Sequence, residues 1–197
     1  MASKTLTLAP CSQSWKNLQQ ITNRHLMSNT RLDGVAGIYE LEMAKSIKPI
    51  HSSGNHAPVN LTDAVTKFIS DAFCMILFGS IEERVLDLVQ ALHRSILLEP
   101  PTADEPEVFR PERFLGDRAK SNQELMIPFS AGRRTCPGMP IASRVVPFVV
   151  ASLLHAFDWK SEGEIDLSER SSGTLSCMPA SDLVAFASAR LETSVYT

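Results

Sequence analysis

Long runs of like charge are missing from this 197-residue chain, whose 19 Lys and Arg against 22 Asp and Glu leave a net charge of -3. Charge scattered in that way offers no global attraction to nucleic acid or to an acidic membrane surface, so neither is expected as a partner. Apolar runs of membrane-spanning length are missing too. The stretches around Phe68–Phe78 and Val145–Phe157 are interrupted by polar residues and fall short of the ~20 residues a span needs. No transmembrane anchor is expected. The opening residues, MASKTLTLAPCSQSW, lack a continuous apolar core followed by a small-residue cleavage site, so no secretion is expected and the cytoplasm is the simplest location. Cysteine pairs are absent as well: Cys11, Cys74, Cys136 and Cys177 lie far apart with no CxxC. That spacing excludes zinc-finger and thioredoxin readings and suits free thiols in a reducing compartment. One sequon, Asn60-Leu61-Thr62, occurs, but with no secretion expected it is not read as a glycosylation site, and no internal repeat is found.

What is present is a 44% hydrophobic composition, enough for one domain with a sizeable core or for two small ones. Apolar positions Trp15, Leu18, Ile21, Thr22, His25 and Leu26 recur at three- and four-residue steps and predict a first amphipathic helix from Ser14. Arg31 to Ile47 carries a weaker helical pattern, and PIHSSGNHAP, Pro49 to Pro58, reads as a loop holding His51 and His56. No Cys, Asp or Glu accompanies those two histidines, so they are read as solvated rather than metal-binding. Leu61, Val65, Phe68, Ile69, Ala72, Phe73, Ile76 and Leu77 form a broad helical stripe that Gly79 can terminate, with Cys74 a small buried hydrophobe among them. A second stripe from Ile81 to Ile96 would pack on the first as a hairpin.

From Glu99 to Asp117 four prolines and alternating charges exclude regular helix and predict an extended meander. The segment GMPIASRVVPFVVASLLHAFDWK is apolar at Ile141, Val145, Phe148, Val149, Leu153 and Phe157 and predicts another core helix, with Pro147 inside it. Near the end, Gly173 to Cys177 and Leu183 to Ala187 read as a short strand pair.

Between the meander and that helix lies FSAGRRTCPG, a pattern Phe129-x-x-Gly132-x-Arg134-x-Cys136-x-Gly138. It resembles the haem-binding loop of the cytochromes P450, the haem-thiolate monooxygenases, and the flanks PEVFRPERF and LLHAFDW are similar to the family's meander and the end of its following helix. LAPCSQSWKNLQQI and DLSERSSGTL resemble the haem-edge and C-terminal segments of plant microsomal members. The resemblance implies a mainly α fold with a small β component, a partial cytochrome P450 fold. Its segments would be 1–80 with the haem-edge helix and those after it, 81–105 as a junction, and 106–197 with meander, cysteine loop, following helix and C-terminal turn.

The residue types suit that role physically. An axial thiolate pushes electron density through haem iron toward a dioxygen bond, and Cys136 would be that ligand. Backbone N–H groups aimed at the sulfur would keep it ionised, while Gly132 and Gly138 permit turns and close approach of the macrocycle. Pro137 suits a first helical turn. Arg134 would pair with a haem propionate through its charged fork, and Phe129 would pack beside the sulfur. By resemblance Arg113 would hold the meander. Trp15 reads two ways, as a propionate donor through its ring nitrogen or as plain core.

The family resemblance further implies haem b, a lipophilic small-molecule substrate of terpenoid or phenolic type, one oxygen atom inserted from dioxygen, and electrons from NADPH through a flavoprotein reductase. The family's place is the cytosolic face of the endoplasmic reticulum membrane. Several of its parts are not found in this chain. There is no [AG]-G-x-[DE]-T-[TS] stretch, the helical Glu-x-x-Arg has Ala91 where Glu belongs before Arg94, and the formal Glu107 to Arg110 match lies in the meander. Gln19 stands where an Arg usually follows the Trp. The alternative reading is therefore a truncated, non-catalytic product that holds haem weakly or not at all. A third is a helical interaction module that uses exposed apolar faces.

Overall fold

A computed structural model describes residues 5–6, 9–53, 57–81, 111–116, 128–161, 181–192 and 194. Helix α1 (Gln13–His25) starts where the Ser12 hydroxyl accepts the Trp15 N–H, and Arg24 and His25 occupy its last turn, where positive charge suits the helix dipole. Its predicted apolar stripe is not buried. Trp15 alone is 4% exposed, whereas Leu18, Ile21 and Leu26 are all exposed.

The weaker pattern after it resolves into two helices, α2 (Asn29–Gly34) and α3 (Ala36–Ser52), broken at Val35 where ψ is 0°. Tyr39, Met43, Ile47 and Ile50 recur on one face of α3 and are buried. The expected loop from Pro49 needs correction, because α3 runs through Pro49 to Ser52. A proline in a last turn forfeits a single bond, and Pro49 still accepts from Ser53 N–H at 3.0 Å. His51 is accordingly not a solvated loop residue. It is half-buried, its ring nitrogen lies 3.1 Å from the Leu191 carbonyl, and its ring packs on Phe157. His56 lies outside the described residues.

Strand β1 (Pro58–Asn60) leads into α4 (Leu61–Phe78). Asn60 caps α4 by accepting the Asp63 N–H at 3.1 Å, and its amide donates to Asp63 and Asp182, which commits the sequon side chain to a structural role. Gly79 ends α4 in the left-handed region at φ 74°, a conformation glycine adopts without cost from a Cβ. Cys74 is fully buried, as its place in the stripe predicts.

After the 3₁₀ turns Pro111–Phe114 and Gly132–Arg134 comes α5 (Met139–Ala156), with Pro147 in its interior. The helix ends at Ala156, four residues short of the expected Lys160, because Phe157–Lys160 becomes strand β2. β2 and β1 flank β3 (Val184–Ala189), both antiparallel to it. The expected strand near Leu183–Ala187 is present, and its described partners are β1 and β2. Gly173–Cys177 and the stripe beyond Ile81 lie outside the described residues.

One core joins both ends of the chain. Tyr39, Met43, Ile47 and Phe68 from the first half meet Val145, Val149, Phe157 and Ala187 from the second. At ~25 cal/mol per Å² of apolar surface, this burial is the main force that holds α3, α4, α5 and the sheet together. The architecture is mainly helical with a small sheet.

Candidate functional site

The cysteine loop is a closed turn. Cys136 N–H donates to the Phe129 carbonyl at 2.9 Å, and Thr135 bonds the Gly132 carbonyl through its N–H and hydroxyl at 3.2 and 2.8 Å. Gly132 reverses the chain at φ 75°, where a Cβ would be strained. Gly138 serves differently. Its φ is ordinary at -79°, but a Cβ there would sit 3.5 Å from the Cys136 sulfur, so glycine leaves that side of the sulfur open. Cys136 is exposed, Phe129 is half-buried, and α5 begins at Met139 with its N–H donating to the Cys136 carbonyl at 3.3 Å.

Helix α1 lies against this loop through a face that carries Trp15 from the apolar pattern together with polar residues outside it. Trp15 and Gln19 on that face both meet the loop, and Gln19, Asn23 and Met27, at four-residue steps, line a cleft with Thr135, Cys136, Pro137, Met139 and Pro140. The amide of Gln19 donates to the Arg133 carbonyl at 3.1 Å, and the Arg134 guanidinium lies 5.3 Å from the centre of the Trp15 ring. Asn23 and Met27 were missed as site residues because neither bears chemistry on its own, whereas Gln19 was marked only as standing where an Arg usually follows the Trp. Their common four-residue spacing from Trp15 is the signal that could have found them.

Trp15, Arg134, Cys136, Gly132 and Gly138 are therefore gathered around one loop, with Phe129 at its closing bond. The Trp15 indole Nε1–H donates to the Leu6 carbonyl at 2.9 Å and Arg134 Nη2 donates to the Ala9 carbonyl at 2.5 Å. Arg113 has no described side chain. Among the described residues no cluster of three or more His, Cys, Asp or Glu could hold a bare metal ion.

A profile described as Cytochrome P450 matches residues 87–186, more than half of the chain. The chain belongs to the cytochrome P450 family. Similar curated proteins include several from plants with enzyme names. "Oryzalexin E synthase" of Oryza sativa subsp. japonica is 42% identical over 89 residues, covering 39% of this chain and 17% of the relative. "Carnosic acid synthase" of Rosmarinus officinalis is 49% identical over 75 residues, covering 36% and 15%. "7-ethoxycoumarin O-deethylase" of Helianthus tuberosus is 40% identical over 85 residues, covering 40% and 17%. The chain thus spans about one sixth of the length of the curated relatives it matches.

Haem is the cofactor of the P450 family, and the residues present fit one face of it. A single exposed sulfur in a rigid turn, with a glycine keeping its flank open, is the donor that haem-thiolate iron takes. The cleft beside it measures about 260 Å³, whereas sites that enclose a cofactor run to ~300–1,000 Å³. The described residues supply one wall of such a site.

Proposed function

We propose that this chain carries the thiolate face of a haem b site, with Cys136 as the iron ligand, Phe129 beside the sulfur, Gly132 and Gly138 shaping the loop, and Arg134 and Trp15 toward the propionates. The observation that carries the reading is the Cys136 sulfur, exposed at the cleft in a loop closed by the Phe129 carbonyl. When bound, the haem would supply the family's chemistry, insertion of one oxygen atom of dioxygen into a lipophilic substrate with electrons from NADPH through a flavoprotein reductase. The residues of the chain orient the macrocycle and limit water at the sulfur.

The names of the similar enzymes favour a plant terpenoid or phenolic as substrate, and 7-ethoxycoumarin is a practical probe. The proposed setting is the cytosolic face of the endoplasmic reticulum membrane. The proposed segments remain 1–80, 81–105 and 106–197, the last bearing the cysteine loop. A second reading, haem held weakly without turnover, is favoured by the small open cleft.

The test is the absorption spectrum of protein reconstituted with haemin, reduced and exposed to carbon monoxide, beside a Cys136→Ala control. A strongly red-shifted Soret band that the variant loses supports thiolate ligation, and its absence from the wild type sinks the reading. Dealkylation of 7-ethoxycoumarin with reductase and NADPH then separates turnover from binding alone.

A further inference from the structure

Both donors assigned to haem propionates are already engaged, and by neighbouring stretches of the same backbone. Trp15 Nε1–H donates to the Leu6 carbonyl at 2.9 Å, and Arg134 Nη2 donates to the Ala9 carbonyl at 2.5 Å. The guanidinium lies over the Trp15 ring at 5.3 Å, so the two donors form one unit. Trp15 and Ala9 are buried at 4% and 5% exposure while Arg134 is exposed and Leu6 half-buried, and Ala9 N–H turns back to the Thr5 carbonyl at 3.0 Å. A peptide carbonyl offers the lone pairs that a carboxylate oxygen offers but only partial charge, so a carboxylate, which can also take two N–H groups of the fork at once, holds a guanidinium more strongly.

We propose that the main chain at Leu6 and Ala9 occupies the Trp15–Arg134 donor pair in the free protein and competes with the propionates of a tetrapyrrole for it. The inference rests on the reading that places those propionates at Trp15 and Arg134. Binding then proceeds from the fraction of molecules in which this contact is open, and the apparent dissociation constant rises in proportion. Two modest hydrogen bonds and the stacked cation make the penalty roughly tenfold. The stronger charge-assisted bonds of a carboxylate displace the carbonyls without altering Cys136.

The probe is metal-free protoporphyrin IX, which carries both propionates and no iron for the sulfur to bind. Its fluorescence is titrated with the full chain, with a variant lacking residues 2–9, and with Ala9→Gln, whose bulk the buried position cannot house. Far-UV circular dichroism checks that the helices persist. Roughly tenfold tighter binding by either folded variant supports the competition, as does movement of the Trp15 indole N–H resonance when the full chain is saturated. Equal or weaker binding by the folded variants overturns it, and so does porphyrin binding to none of the three. Should neither variant fold, the indole resonance of the full chain decides: unmoved at saturation, it overturns the competition. Because the probe lacks iron, loss of the Cys136-dependent carbon monoxide band sinks the thiolate reading and leaves this result intact.

Discussion

The side-chain amide of Gln19 donates to the Arg133 carbonyl across 114 positions of sequence, which ties α1 to the turn that presents Cys136. The bond is exposed, so its net worth lies at the lower end of ~0.5–1.5 kcal/mol. Gln19→Ala is expected to leave the unfolding midpoint in urea nearly unchanged. The loop, released at one of its points of contact with α1, should alkylate faster at Cys136 by roughly two- to fivefold. Peptide mapping after timed iodoacetamide exposure measures this, and an unchanged rate would mean that the bond does not restrain the loop.

Cys74 and Cys136 should differ sharply as nucleophiles. Burial of Cys74, with a smaller contribution from the neighbouring Asp71 carboxylate, raises its thiol pKa, and only the thiolate attacks. Cys11 and Cys136 are exposed. In the native protein Cys136 and Cys11 are expected to label with a maleimide while Cys74 stays unmodified until denaturant is added. Labelling of Cys74 at the rate of Cys136 would contradict its place in the core.

The two loop glycines should respond oppositely to alanine. Gly132→Ala places a Cβ at φ 75° and is expected to cost ~1–2 kcal/mol in a denaturant melt. Gly138→Ala meets the Cys136 sulfur at 3.5 Å, an ordinary contact, so stability should hold while alkylation of Cys136 slows. A Gly138→Ala protein that melts early but alkylates normally would refute this division of roles.

Tyr39 predicts a pH effect. Desolvation raises its phenol from 10.0 to about 12, so the folded state holds its proton more tightly than the unfolded state does. Stability from this group is complete below pH ~10 and is lost as the pH rises through about 12. Its hydroxyl has no hydrogen-bond partner among the described residues, and a buried orphan donor costs ~1–3 kcal/mol. Tyr39→Phe is therefore expected to be neutral or stabilising at pH 7 and to flatten the alkaline fall between pH 10 and 12 in thermal melts. A clear loss of stability at pH 7 would show that the hydroxyl has a partner.

How much of this was legible differs from element to element. The stripe of α4 and its glycine stop could be read because burial on one face, an asparagine cap and a left-handed terminator all act locally. Pro49 misled because proline is a strong local breaker, whereas the packing of Ile50 in the core keeps α3 helical past it. The α5 boundary was missed for a related reason. Phe157 and Trp159 suit helix or strand alike, and pairing with β3, distant in sequence, chose strand.

For the site, the sequence by itself determined the loop, in which Cys136 stands between a glycine that reverses the backbone and one that leaves the sulfur accessible, but not the helix start, since α5 begins at Met139 and leaves Pro137 outside the first turn where the sequence suggested it. Local chemistry suffices there, because each requirement is met within ten residues. Tertiary structure decided what the loop touches. That α1 turns Gln19 toward Arg133, that Trp15 stacks on Arg134, and that Arg134 donates to the Ala9 carbonyl depends on packing across more than a hundred residues, which no local pattern encodes, whereas the Trp15 bond to Leu6 spans only nine.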